Sequence, residues 1–193
     1  MIALNHVPTS LNATKVIRVL RSLKTHPHWE NLITQTNLLV TFSKQNPPQA
    51  IRVADFITKI SRPLGIPFYI IWTWMCTDFQ TNNLDPFLAT DNYLKALLCE
   101  ADYKRLKAYK GPLNFRKALK TQRIKLGLSL GKMADKIGIK RDKIIVLERE
   151  ENYTSIPRCD TLNAVLPFYE LHPVELLLLA IKESTLETST LEN

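Results

Sequence analysis

Lys140, Arg141, Asp142 and Lys143 stand side by side just after Gly138, and Ile145 and Val146 follow them at once. Such a cluster can attract phosphates through its cations and offer hydrogen bonds to base edges through Arg141 and Asp142. Ile145 and Val146 cannot hydrogen-bond to a base, but they can touch a thymine methyl or a protein surface. A solvated helix turn is the ordinary alternative for so short a charge run. Position decides between the two, because the leading turn of a second reading helix is where base edges and phosphates come within reach.

The elements around the cluster support that position. Leu130, Met133, Ala134 and Ile137 recur at the spacing of one helix face, bracketed by Gly127 and Gly138. A glycine just past a helix is a common stop, since it takes the left-handed conformation without a Cβ clash. Ser129 falls where an N-cap would accept a free amide. Ile139, Ile144 and Leu147 are expected to carry the buried pattern into the next helix.

This order of residues resembles the lambda-repressor-like helix-turn-helix domains of phage repressors, Cro proteins and XRE-family regulators. The likeness runs from about Asn114 to Ile181, through RIKLGLS (123–129), MADKIGI (133–139), IIVLE (144–148), Pro157, Asp160, Thr161, Leu162 and LHPVELL (171–177). The resemblance implies five packed helices, with the second and third as the reading motif. It also implies a structural pair between Arg123 in the first helix and Glu148 closing the third. On this basis the DNA-contacting set is Ser129, Lys140, Arg141, Asp142, Lys143, Ile145 and Val146, with supporting phosphate contacts from Arg116, Lys117 and Lys120. The partner it implies is double-stranded DNA, bound by a homodimer on paired half-sites in transcription regulation.

Three features depart from the family. Leu130 stands where members commonly place a phosphate-bracing Gln or Glu, Ile145 and Val146 replace polar groups, and Glu150 and Glu151 bring acid close to the expected DNA backbone. They motivate an alternative: a protein-interaction adaptor or antitoxin-like module that keeps the fold without reading DNA.

Other chemistry is poorly supplied. His26, His28, Glu30 and Asp55 lack the further His or Cys that a metal site at such spacing would use, so a surface turn is the better reading. The four His are scattered, and no nucleophile, base and orienting group converge. Of the five Gly, Gly111, Gly127 and Gly138 already serve as breakers, which leaves no phosphate-cradling loop. The chain is read as non-enzymatic, with no cofactor and no metal. Trp29, Trp72 and Trp74 offer aromatic faces, but the apolar run around Trp72 and Trp74 argues for core packing.

The 193 residues allow one large domain or two small ones, and the net charge of +8 suits a polyanionic partner without requiring one. Residues 1–112 carry 13 Lys and Arg against 7 Asp and Glu, and residues 113–181 carry 12 against 8, so the basic excess is spread over both parts. Cys76, Cys99 and Cys159 are odd in number and read as reduced core thiols. The opening MIALNHVPTS lacks the features of a signal peptide, and the apolar stretch from Leu64 to Cys76 is too short for a membrane span. A cytoplasmic protein with no membrane partner is expected.

The expected architecture is all-α. An N-terminal helical domain (1–110), serving dimerisation, effector binding or a protein partner, is followed by a linker (111–113), the helix-turn-helix domain (114–182) and a disordered tail (183–193). Within the first domain, helices are expected from Ser10 to Lys24, Glu30 to Lys44 and Pro48 to Arg62. A central apolar helix follows over 64–79, then a loop over 80–90. A long helix capped by Thr90 or Asp91 is expected to run to Lys110. Pro167 should shorten the fourth helix of the second domain, and Pro173 should open the fifth.

Overall fold

The computed structural model describes residues 11–22, 57, 60–62, 64–77, 85–111, 113–149 and 158–190. Among them every regular element is a helix: α1 (Ala13–Ser22), α2 (Phe68–Cys76), α3 (Pro86–Leu97), α4 (Glu100–Ala108), α5 (Phe115–Lys125), α6 (Leu130–Ile137), α7 (Arg141–Glu148), α8 (Cys159–Val165) and α9 (Pro173–Thr190). The chain is therefore all-α. No described helix is long and apolar enough to cross a membrane.

The apolar run at the centre of the N-terminal part forms α2, in which Tyr69 to Cys76 are all buried. The polar side-chain atoms of Trp72, Thr73 and Trp74 are met internally, as burial without water requires. Thr73 donates its hydroxyl to the Tyr69 carbonyl at 2.7 Å, and Trp74 Nε1 donates to Thr90 Oγ1 at 2.8 Å. Trp72 Nε1 donates to the Pro173 carbonyl at 3.1 Å. Around this rod, α1 buries Val16, Val19 and Leu20 and exposes Arg18. Helix α1 begins at Ala13, later than expected, and Asn12 Oδ1 accepts the Thr14 amide at 2.9 Å. Ser10, the expected cap, and the expected helix over 30–44 lie outside the described residues. Of the third expected helix, only Ile57 and residues 60–62 are described, and they are helical.

Two expectations for residues 80–110 are corrected. Helix α3 begins at Pro86, inside the anticipated loop, because Asp85 accepts the Phe87 amide at 2.9 Å and Pro86 presets the first turn. The long helix capped at Thr90 or Asp91 is instead two helices, separated by extended backbone at Leu98 and Cys99. The break turns α4 so that Tyr103 donates to Asp91 on α3 and Leu106 enters the core. Cys99 is consequently exposed, unlike Cys76 and Cys159, which are buried as expected of core thiols.

Beyond residue 113, Asn114 caps α5 by accepting the Lys117 amide at 3.0 Å. Gly127 and Gly138 close α5 and α6 with φ of 68° and 78°, where a Cβ would strain the backbone. Helix α8 ends at Val165, two residues before Pro167, and a turn over 166–170 leads to α9. The segment expected as a disordered tail from 183 is helical to Thr190. Glu183 and Ser184 are buried, with Ser184 Oγ accepting the Asn114 amide at 3.2 Å and donating to the Ala180 carbonyl at 2.8 Å.

One apolar cluster extends to both sides of residues 111–113. The Trp72 ring stacks on Phe115 with centroids 4.8 Å apart and planes 12° from parallel. Leu11 and Asn163 exchange two hydrogen bonds, of 2.8 and 3.0 Å, across 152 positions of sequence. Val174, Leu176, Leu177, Ala180 and Ile181 of α9 are fully buried, and α9 packs mainly on α5 and also on α2. The apolar surplus of LLLLA is thus covered largely by the chain itself.

Candidate functional site

Helices α6 and α7 are joined through Gly138, Ile139 and Lys140. Ser129 Oγ accepts the Lys132 amide at 3.2 Å, so this side chain caps α6 while remaining at the surface. On α6, Met133 and Ala134 are buried and Leu130 and Ile137 are partly so. On α7 the inward positions are Ile144, Leu147 and Glu148, and Lys140, Arg141, Asp142 and Lys143 are all exposed. None of these three cations forms an ion pair or side-chain hydrogen bond within the described residues. Ile145 and Val146, exposed by 38% and 60%, complete the outer side of the helix. Ile139 is a correction: it is 38% exposed, because the left-handed turn at Gly138 carries it out of the buried series.

The far end of α7 is fastened to α5. Arg123 Nε lies 2.9 Å from both Glu148 carboxylate oxygens, and its Nη2 lies 2.8 Å from Oε2. Arg123 Nη1 also donates to the Leu128 carbonyl at 2.7 Å. Tyr169 was not singled out from the sequence, yet its buried hydroxyl donates to Glu148 Oε1 at 2.7 Å. Its own carbonyl accepts from Gln122 Nε2 at 3.0 Å. Burial first, and then the neighbouring Glu148 carboxylate, push the Tyr169 phenol well above its usual range. Only the general rule that a buried phenol seeks an acceptor signals this role in advance.

Three further expected contacts divide. Arg116 turns inward, donating through Nη1 to the Val146 carbonyl, and burial lowers its pKa. Lys117 turns toward Glu183, 3.9 Å from Oε2 and 3.5 Å from the backbone carbonyl. Lys120 alone of the three is exposed. Glu150 and Glu151 lie outside the described residues.

Other places in the fold hold less chemistry. A cleft of about 310 Å³ is lined by Lys95, Leu98, Glu100, Tyr103 and Lys104. Its cations are already paired, Lys95 with Asp91 and Lys104 with Glu100, both at 2.7 Å. Hydrogen bonds from Lys95 and Tyr103 hold the Asp91 carboxyl down at about 2. His172 Nδ1 accepts the Val174 amide at 3.2 Å and the Glu175 carboxylate accepts the His172 amide at 2.8 Å, so this histidine serves the start of α9. No metal-sized group of His, Cys, Asp and Glu gathers among the described residues, and His26, His28, Glu30 and Asp55 fall outside them. Trp72 and Trp74 are fully buried and offer no stacking platform, while Trp29 is not among the described residues.

Comparison with known proteins gives no match to a family model, a curated relative or a solved structure.

Proposed function

We propose that this chain is a sequence-specific, double-stranded DNA-binding transcriptional regulator of the lambda-repressor-like class, non-enzymatic and acting in the cytoplasm. The observation that carries the reading is the leading turn of α7, where Lys140, Arg141 and Lys143 are exposed and uncommitted while Arg123, Glu148 and Tyr169 fix the other end. A helix held at its rear with cations at its front is prepositioned for a groove, so the ordering left for the moment of binding is that of the cationic side chains themselves. Lys140, Arg141, Lys143 and Lys120 attract phosphates, Arg141 favours guanine, and Asp142 accepts from cytosine. Ser129 stands at the start of α6, where a helix N-terminus meets a phosphate. Arg116 and Lys117 act indirectly in this reading, by holding α7 and α9. A homodimer on half-sites about one helical turn apart supplies the remaining affinity.

The test is fluorescence anisotropy of the full chain with labelled duplexes over a salt series. Four phosphate contacts per copy correspond to a log–log slope of about −3.6, and Lys143→Ala should reduce its magnitude by about one. Selection from random duplexes at low salt that returned no enriched sequence would refute the reading.

A second reading has its own observation. Ile124, Ile139, Ile145 and Val146 are large apolar side chains left at the surface of the same α5–α7 unit. Such a surface suits an adaptor or antitoxin-like module that binds a protein through this face. Salt-insensitive binding to a protein partner, with no duplex binding, is its signature.

A further inference from the structure

We infer that Ile145 and Val146 read thymine methyl groups, so that the target duplex carries thymines one to two base pairs from the pair met by Asp142. The inference rests on the DNA-binding reading above and specifies what that site recognises. Ile145 and Val146 are the only described outward residues of α7 that are apolar, and they sit beyond the polar Arg141 and Asp142. With a rise of about 1.5 Å per residue, they lie about 4.5 to 6 Å along the helix from Asp142. That span corresponds to one or two stacked base pairs at about 3.4 Å each. The C5-methyl of thymine is the apolar group presented in the major groove, and it is the group such side chains can cover.

Two further features favour this occupant over an apolar protein surface. Lys140, Arg141 and Lys143 lie next to the patch, on its N-terminal side, without carboxylate partners among the described residues, so an apolar partner that covered the whole face would have to desolvate them unpaired. A duplex gives phosphates to the cations and methyls to the apolar pair in one contact. Both side chains are also β-branched, with restricted χ1, and the Val146 carbonyl is held by Arg116. They therefore meet the methyls with little freedom left to lose.

The experiment uses the full chain and the duplex returned by selection, with each thymine replaced in turn by deoxyuridine. This deletes the methyl and leaves the hydrogen-bonding edges intact. For wild type, we expect a loss of about four-fold in affinity at each sensitive position, the factor that corresponds to burying one methylene-sized group. The salt slope should stay unchanged, since no phosphate contact is altered. The Ile145→Ala/Val146→Ala variant should bind the thymine duplex more weakly and be indifferent to deoxyuridine. Wild-type binding that ignores every thymine-to-deoxyuridine change overturns this inference and leaves the DNA-binding reading standing. Absence of any duplex binding overturns that reading and this one together, and assigns the apolar face to a protein. The wild-type arm decides even if the double variant fails to fold.

Discussion

Replacing Trp72 with Ala removes a side chain that is fully buried, stacks on Phe115 and donates to the Pro173 carbonyl. Truncations of this size in a packed core cost about 3–5 kcal/mol, including the cavity left behind. The aromatic stack accounts for roughly 0.5–1.5 kcal/mol of that. Trp72→Phe keeps an aromatic ring against Phe115 but removes the N–H, so it should cost less, on the order of 1–2 kcal/mol. With a urea dependence of about 2 kcal/mol per molar, the Ala variant should move the midpoint down by about 2 M. The informative control is Trp74→Ala, whose partners Thr90 and Phe87 both belong to α3. If the parts on either side of residues 111–113 unfold as one unit, both variants shift a single transition followed by circular dichroism. Spectroscopic probes placed on α3 and on α6 should then report the same midpoint. A Trp72→Ala protein in which the α6 probe melts at the wild-type urea concentration would refute the coupling.

Arg123→Met should destabilise by about 3–5 kcal/mol, because it leaves the Glu148 carboxylate buried with only the Tyr169 hydroxyl. Adding Glu148→Gln should recover part of this loss in a double-mutant cycle read by urea melts. The Asp91 carboxyl, at about 2 when folded, contributes stability that is present above its unfolded value near 3.9 and lost as pH falls through about 2. Asp91→Asn should therefore flatten the stability profile between about pH 4 and 2, which urea melts at stepped pH would detect. An aromatic disulfide reagent should label Cys99 rapidly in the native protein. Cys76 and Cys159 should react only on unfolding, since burial raises both thiols and pushes Cys159 up to about 12. Native-state labelling of all three at one rate would contradict that burial pattern.

Local rules made the region from Asn114 to Glu148 the most readable. Gly127 and Gly138 mark left-handed stops, Ser129 caps α6, and the short helices leave few ways to satisfy their ends. The family resemblance implied a pair between Arg123 and Glu148, but not that Tyr169 would complete it from a turn after α8. That contact is set by tertiary packing, on which periodicity is silent. The same limit explains the break at Leu98 and Cys99, because the apolar pattern of 93–106 is continuous and only the Asp91–Tyr103 contact shows why the chain folds back. Arg116 and Lys117 looked like surface cations by composition, yet each found an acceptor on a neighbouring helix. For residues 183–190 the polar composition suggested disorder, and burial of Glu183 and Ser184 on α5 outweighed it.

The reciprocal bond between Leu11 and Asn163 has a consequence for how the protein is made. At roughly 5–20 residues per second, a ribosome needs about 8 to 30 s to add the intervening 152 residues. Throughout that interval the Leu11 backbone groups lack their Asn163 partner, although α2 can already cover the apolar side of α1. Such long-range closure slows folding in general. The contact ahead of α1 can therefore close only after α8 has left the exit tunnel, by which time α1 and α2 have long been free to pack on each other.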